Sequence, residues 1–163
     1  MLLCCERDAI PVDPDRPMSD TSSDERWYRT GLQFTCTRCG NCCTGDSGTV
    51  RVSDDEIEAL ASLLELDRDE FRALYTRGLR GGAVSLVEKR NNDCVFWDRS
   101  TGCTVYAARP RQCRTWPFWS AVVHSPETWQ EEARGCPGMN QGKRHDAASI
   151  TAIASDDGTS SDV

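Results

Sequence analysis

The chain has 163 residues, with 26 acidic and 19 basic side chains, a formal net charge of -7, 38% hydrophobic residues and 10 cysteines. That length suits one domain with tails and excludes a large multidomain enzyme, because domains run to roughly 100–200 residues. So modest a hydrophobic fraction implies a small core, which makes the cysteines the natural candidates for holding it together.

No stretch approaches the roughly 20 apolar residues of a membrane-spanning helix. The start, Met1-Leu2-Leu3-Cys4-Cys5-Glu6, lacks the basic region and apolar run of a secretory signal. The expectation is a cytoplasmic protein with no membrane partner. In a reducing compartment, a cysteine-rich pattern points to metal binding or redox chemistry rather than structural disulfides.

Residues 1–30 are acidic and dotted with proline, as in Pro11-Val12-Asp13-Pro14, and read as a disordered leader. Met18 opens a shorter reading frame that would leave out Cys4 and Cys5. Residues 31–141 are then the domain, and 142–163, ending in Ser155-Asp156-Asp157-Gly158, read as a polar acidic tail.

Early in the domain, Cys36-Thr37-Arg38-Cys39-Gly40-Asn41-Cys42-Cys43 places four thiols in eight residues. Two-residue gaps let a tight turn aim successive sulfurs at one ion or cluster, and Gly40 relieves the backbone of that turn. The first three thiols match the opening of the bacterial ferredoxin pattern, whose remote fourth cysteine precedes a proline, as Cys136-Pro137 does here. Cys43, directly adjacent, is expected to point elsewhere. The following Gly45-Asp46-Ser47-Gly48 looks like the tetrapeptide around a serine-protease nucleophile, but both histidines, His124 and His145, come after it. It is better read as an exit turn.

Ser53 followed by Glu56 forms a capping-box pattern, and Ile57, Leu60, Leu63 and Leu64 make a helical face. A second helix starts at Asp67, with Glu70 three residues on, an apolar stripe of Phe71, Leu74 and Tyr75, and Gly78 as its stop. Residues 53–77 carry eight acids and three bases, the wrong sign for reading DNA, so this helical hairpin is a packing brace and no nucleic-acid partner is expected. Ala83–Val87 and Cys94–Trp97 are expected to pair as a strand hairpin across Arg90-Asn91-Asn92-Asp93. A second turn, Asp98–Gly102, leads to Cys103, and Pro110 starts a helical turn carrying Cys113. The fold class is therefore α+β: a small, irregular, metal-nucleated domain with a short helical hairpin, few short strands and disordered tails.

Downstream thiols at Cys94, Cys103, Cys113 and Cys136 bring the domain to eight. Eight thiolates suit two four-cysteine zinc sites, two iron-sulfur clusters, one of each, or one cluster with spare redox thiols. With only two histidines, both read as isolated surface residues, the donor set is almost pure sulfur and soft metals are favoured. A thiolate centre is anionic, and residues 78–120 carry seven bases against three acids. Arg38, Arg109, Arg111 and Arg114 lie near cysteines, and Arg38, Arg109 and Arg114 are candidates for donating to cofactor sulfur. Trp97, Trp116, Phe118 and Trp119 are read mainly as packing.

The segment Phe34–Cys43, together with Cys94-Val95-Phe96-Trp97, Gly102-Cys103-Thr104-Val105-Tyr106, Arg109-Pro110-Arg111-Gln112-Cys113-Arg114 and Trp116-Pro117-Phe118, resembles the YkgJ-type cysteine-cluster family. The resemblance spans about Phe34 to Gly138. It implies a zinc- or iron-chelating domain with a CxxCxxCC signature, whose cysteines correspond to Cys36, Cys39, Cys42, Cys43, Cys94, Cys103 and Cys113, with Cys136 as an eighth. Trp97 and Trp116 stand where the family often has leucine and phenylalanine. Flagellin lysine N-methylases share the signature, but they are much longer, and no glycine-rich turn after a clear strand marks an S-adenosylmethionine site here. The function expected is zinc or iron chelation, including as an iron-sulfur cluster, in an undefined redox or accessory role with an unidentified protein partner. The rivals are an iron-sulfur oxidoreductase or methylase-like enzyme, and a zinc-stabilised interaction module.

Overall fold

A computed structural model describes residues 26–159. Its elements begin where the local chemistry starts them. Strand β1 (Leu32–Phe34) leads into the cysteine turn. Then the Ser53 hydroxyl accepts from the Glu56 N–H at 3.3 Å while the Glu56 carboxylate accepts from the Ser53 N–H at 3.0 Å. That capping box starts α1 (Asp54–Leu63), and the Asp67 carboxylate, accepting from Glu70 N–H at 2.8 Å, starts α2 (Arg68–Tyr75). Ile57, Leu60 and Phe71 are fully buried, whereas Leu63 and Leu74, expected on the same apolar faces, stay 45% and 55% exposed. The second helix also stops before Gly78: Thr76 turns extended and donates its hydroxyl to the Arg72 carbonyl at 2.8 Å.

That early stop changes the sheet. Strand β2 (Thr76–Gly78) runs antiparallel to β3 (Val84–Leu86), so the expected ladder between 83–87 and 94–97 does not form. The chain leaving α2 reaches the edge of β3 first, and the expected turn is spanned by a Glu88–Cys94 bridge and by the Lys89 N–H donating to the Asp93 carbonyl at 2.8 Å. Strands β4 (Trp97–Asp98) and β5 (Gly102–Cys103) pair across the second turn, where Asp98 accepts from the Ser100 and Thr101 N–H groups, each at 2.9 Å.

Helix α3 (Arg111–Thr115) follows Pro110. Next come α4 (Pro126–Gly135), capped by Ser125 and Thr128, then β6 (Met139–His145) and α5 (Ala147–Ser155), capped by Asp146. The segment expected as a polar tail from 142 is thus largely structural. β6 is the antiparallel partner of β1, pairing Leu32 with His145, and Ile150 of α5 is fully buried. Beyond it, Asp157 is buried at 1% exposure: its carboxylate accepts from the Ser120 N–H at 2.7 Å and the Thr159 hydroxyl at 2.6 Å. At the other end, Tyr28 is buried and the Trp27 indole donates to the Val123 carbonyl at 2.8 Å, so residues 26–30 also belong to the fold rather than to a leader. Residues 1–25, with Cys4, Cys5 and Met18, and residues 160–163 lie outside the described residues.

Two separate hydrophobic clusters result. One gathers α1, α2, β3 and the 96–105 segment around Ile57, Leu60, Phe71, Leu86 and Phe96. The other gathers α4, α5 and the first described residues around Tyr28, Phe118, Trp129, Met139 and Ile150. Helix α3 joins them. Its Gln112, 6% exposed, accepts from Arg51 N–H and donates to the Thr49 carbonyl, both at 2.8 Å. On its other side the Thr115 hydroxyl donates to the Asp157 carbonyl at 2.6 Å. Among the described residues no helix is long and apolar enough to cross a membrane.

Candidate metal centre

The cysteine turn is shaped by Gly40. Its φ of +83° begins a tight helical turn over Asn41–Cys43, with the Gly40 carbonyl accepting from Cys43 N–H at 2.8 Å and the Thr44 hydroxyl at 3.2 Å. A Cβ here would stand 2.0 Å from the Trp97 indole, so the glycine serves both the dihedral and the close approach. Cys94 N–H donates to the Cys43 carbonyl at 2.7 Å, tying the turn to the segment that leads into β4. On its other flank Asn41 donates to the Gly135 carbonyl and Thr35 N–H to the Gly138 carbonyl at 3.1 Å, tying the turn to the end of α4.

These ties bring Cys36, Cys39, Cys42, Cys43, Cys94, Cys103, Cys113 and Cys136 onto the wall of one cavity of about 170 Å³. All eight are free thiols: Cys36, Cys39 and Cys42 are exposed, and Cys136 is buried. Cys43 lines the same cavity, its sulfur 3.8 Å from that of Cys42. Leu86, Phe96 and Val105 from one hydrophobic cluster and Phe34 and Trp116 beside the other complete the wall, so the cavity occupies the seam between them. Cys42, Cys43, Cys94 and Cys113 also line a second cavity, of about 450 Å³, behind it. Among the described residues, no three Cys, His, Asp or Glu side chains converge as they stand on a single-ion site.

The thiols sense one another. The Cys43 thiol, hydrogen-bonded to Cys42, lowers Cys42 to about 7 and is itself raised by that bond and by burial. Burial pushes Cys113 up to about 12, helped by the charges of Cys94, Cys42 and Cys103, and burial raises Cys94 and Cys103 as well. Such a set cannot ionise together without a cation among them. The donor chemistry fits a thiophilic metal or cluster: eight sulfurs, with Glu132 the carboxylate on the wall.

Arg38 and Arg109 line the cavity, with their guanidinium carbons 4.1 and 3.5 Å from the centre of the Tyr106 ring. Arg114 does not: it pairs with Glu56 at 3.6 Å and donates to the Arg109 carbonyl. Arg111 pairs with Asp156 at 2.8 Å. Trp97 and Trp116 line the cavity; Phe118 is core, and Trp119 packs edge-on to Trp116 at 4.8 Å. His124 is exposed, but His145 is no isolated surface residue, since Nε2 lies 3.1 Å from the Phe34 carbonyl and the ring 4.7 Å from that of Phe118. Tyr106 was not singled out by sequence reasoning, although its place between Cys103 and Arg109 was a signal. In the exit turn, the Ser47 hydroxyl and Gly48 N–H both donate to Glu88 at 2.7 Å, which closes the loop.

Eight free thiols around one cavity in a small α+β fold define a cysteine-cluster domain. Residues 35–137 match the family described as CxxCxxCC, "Putative zinc- or iron-chelating domain", and the chain belongs to that family. It is 34% identical over 92 residues to Uncharacterized protein MJ0661 of Methanocaldococcus jannaschii, a match covering 56% of this chain and 48% of that protein. The chain thus spans about half the length of that relative. No solved structure matches it significantly.

Proposed function

We propose that the protein binds zinc or iron through this thiol wall, as thiolate-held zinc or as an iron-sulfur cluster. One observation carries the reading: eight free cysteines, drawn from five separate places in the chain, line a single cavity. Four thiolates complete one zinc site or one cubane cluster, so the wall offers ligands for two centres, or for one centre with thiols to spare. Cys42, Cys43, Cys94, Cys103 and Cys113 lie close enough for their charges to bear on one another. Cys36, Cys39 and Cys136 complete the wall. An iron-sulfur cluster would supply one-electron transfer, and zinc a cross-link. Arg38 and Arg109 would offset the negative charge of the thiolates, and for a redox cluster would raise its potential.

The test is metal and acid-labile sulfide content, with an absorption spectrum, on protein purified without oxygen. About four iron and four sulfide per chain with a broad visible band is the result for one cubane. Colourless protein with about one or two zinc, released when the cysteines are alkylated, is the result for thiolate zinc. Protein that takes up neither metal overturns the reading.

A further inference from the structure

Arg38 is a non-glycine residue with φ +57°, in the middle of the cysteine turn. Such a conformation persists only where surrounding contacts hold it. The contact here is aromatic: the Arg38 guanidinium lies over the Tyr106 ring, and Arg109 lies over the same ring while its Nε donates to the Tyr106 carbonyl at 3.1 Å. Tyr106 belongs to a short helical turn, Tyr106–Ala108, between Cys103 and Cys113. One ring therefore joins the loop carrying Cys36, Cys39 and Cys42 to the opposite wall carrying Cys103 and Cys113. All of these residues line the same cavity.

Resting on the metal-binding reading, we propose that Tyr106 is a positioning residue for metal capture. Its ring clasps Arg38 and Arg109 and holds the exposed loop thiols across from the wall thiols before the metal arrives. Two guanidiniums held on one ring also place positive charge on the cavity wall beside the thiols, where it favours an anionic sulfur-ligated centre. A residue that merely filled space could be any apolar side chain of similar size; a clasp requires an aromatic face.

The test uses the full chain as wild type, Tyr106→Phe, Tyr106→Leu and Arg38→Gln, with zinc alone as the ligand and a chromophoric chelator as competitor. Tyr106→Phe should stay within about twofold of wild type, because the aromatic face is kept. Tyr106→Leu should bind about tenfold more weakly, the size of two exposed cation–π contacts, and Arg38→Gln about threefold. Added to Tyr106→Leu, Arg38→Gln should cost almost nothing more. In metal-free protein, Cys39 should be alkylated faster in Tyr106→Leu than in Tyr106→Phe. Equal affinities and alkylation rates in the Leu and Phe variants overturn the clasp. Arg38→Gln, at an exposed site, decides the matter should Tyr106→Leu fail to fold: unchanged affinity there also overturns it. Failure of wild type to bind zinc or iron sinks the metal reading instead, while the alkylation rates still judge the clasp.

Discussion

Replacing Gly40 with alanine should be felt twice. The left-handed φ of +83° costs an L-residue about 1–2 kcal/mol. The new Cβ would also lie 2.0 Å from the Trp97 ring, and forcing that indole aside costs about 1–3 kcal/mol as overpacking. The sum, about 2–5 kcal/mol, is a large share of the roughly 5–15 kcal/mol that holds a typical domain. Trp97 has little freedom to yield. Its backbone is fixed, the amide N–H donating to the Cys94 carbonyl at 3.0 Å and the residue pairing with Cys103 in the β4–β5 ladder. Displacing it moves Cys94 and Cys103 on the cavity wall, so zinc affinity should fall with stability. Urea unfolding of metal-free protein measures the first effect and chelator competition with zinc the second. Adding Trp97→Leu should recover the steric share and leave only the dihedral cost, about 1–2 kcal/mol. Gly40→Ala protein with wild-type stability and metal content, or a double variant with no recovery, would refute the reasoning.

Gln112→Leu removes both hydrogen bonds to residues 49–51, and urea unfolding should show a loss of about 2–4 kcal/mol, with Gln112→Glu intermediate because it keeps the acceptor. Burial alone would raise the Asp157 carboxyl, but hydrogen bonds from Thr159 and Ser120 outweigh it and hold the group below its ordinary value. Its stabilisation is therefore complete above the unfolded value of about 3.9 and is lost as pH falls through the lower folded value. Stability curves from pH 2 to 6 should be flatter for Asp157→Asn, and identical slopes would count against this. The thiols carry the opposite sign. Cys113, pushed up to about 12 by burial, and the raised Cys94 and Cys103 stay protonated in the folded chain after the unfolded chain ionises. Metal-free protein should accordingly lose stability as pH climbs above about 8.5, whereas zinc affinity should rise with pH and calorimetry should detect released protons.

What the sequence disclosed was chiefly local or covalently spaced. The Ser53–Glu56 and Asp67–Glu70 caps lie within four residues and act without tertiary help, and all eight ligand candidates could be named from spacing and resemblance. Pairing partners could not. β3 carries the same residues whether it faces β2 or the 94–97 segment, and the choice depended on where α2 stopped. β6, Met-Asn-Gln-Gly-Lys-Arg-His, has no apolar alternation because its bond to β1 is made by backbone. α5 was masked by alanines and a polar surround, although Asp146 three residues before Ser149, with Ile150 and Ile153 on one face, was a readable start. Arg114 was placed near the thiols by sequence proximity, but the helical rotation of α3 sends it to Glu56 instead.

The seam between the two clusters gives the thiol cavity a further consequence. Each cluster is small, and between them run α3, the ties of the cysteine turn and the cavity wall itself. Without a ligand the halves can open as separate cooperative units, each with its own opening free energy. A ligand touching both must be released before either opens fully, which merges them into one unit. Amide hydrogen exchange should then resolve two protection classes in the metal-free chain and one in the loaded chain. Because proteases act on whichever half opens first, the lifetime of the chain would become a record of the metal supply it has met.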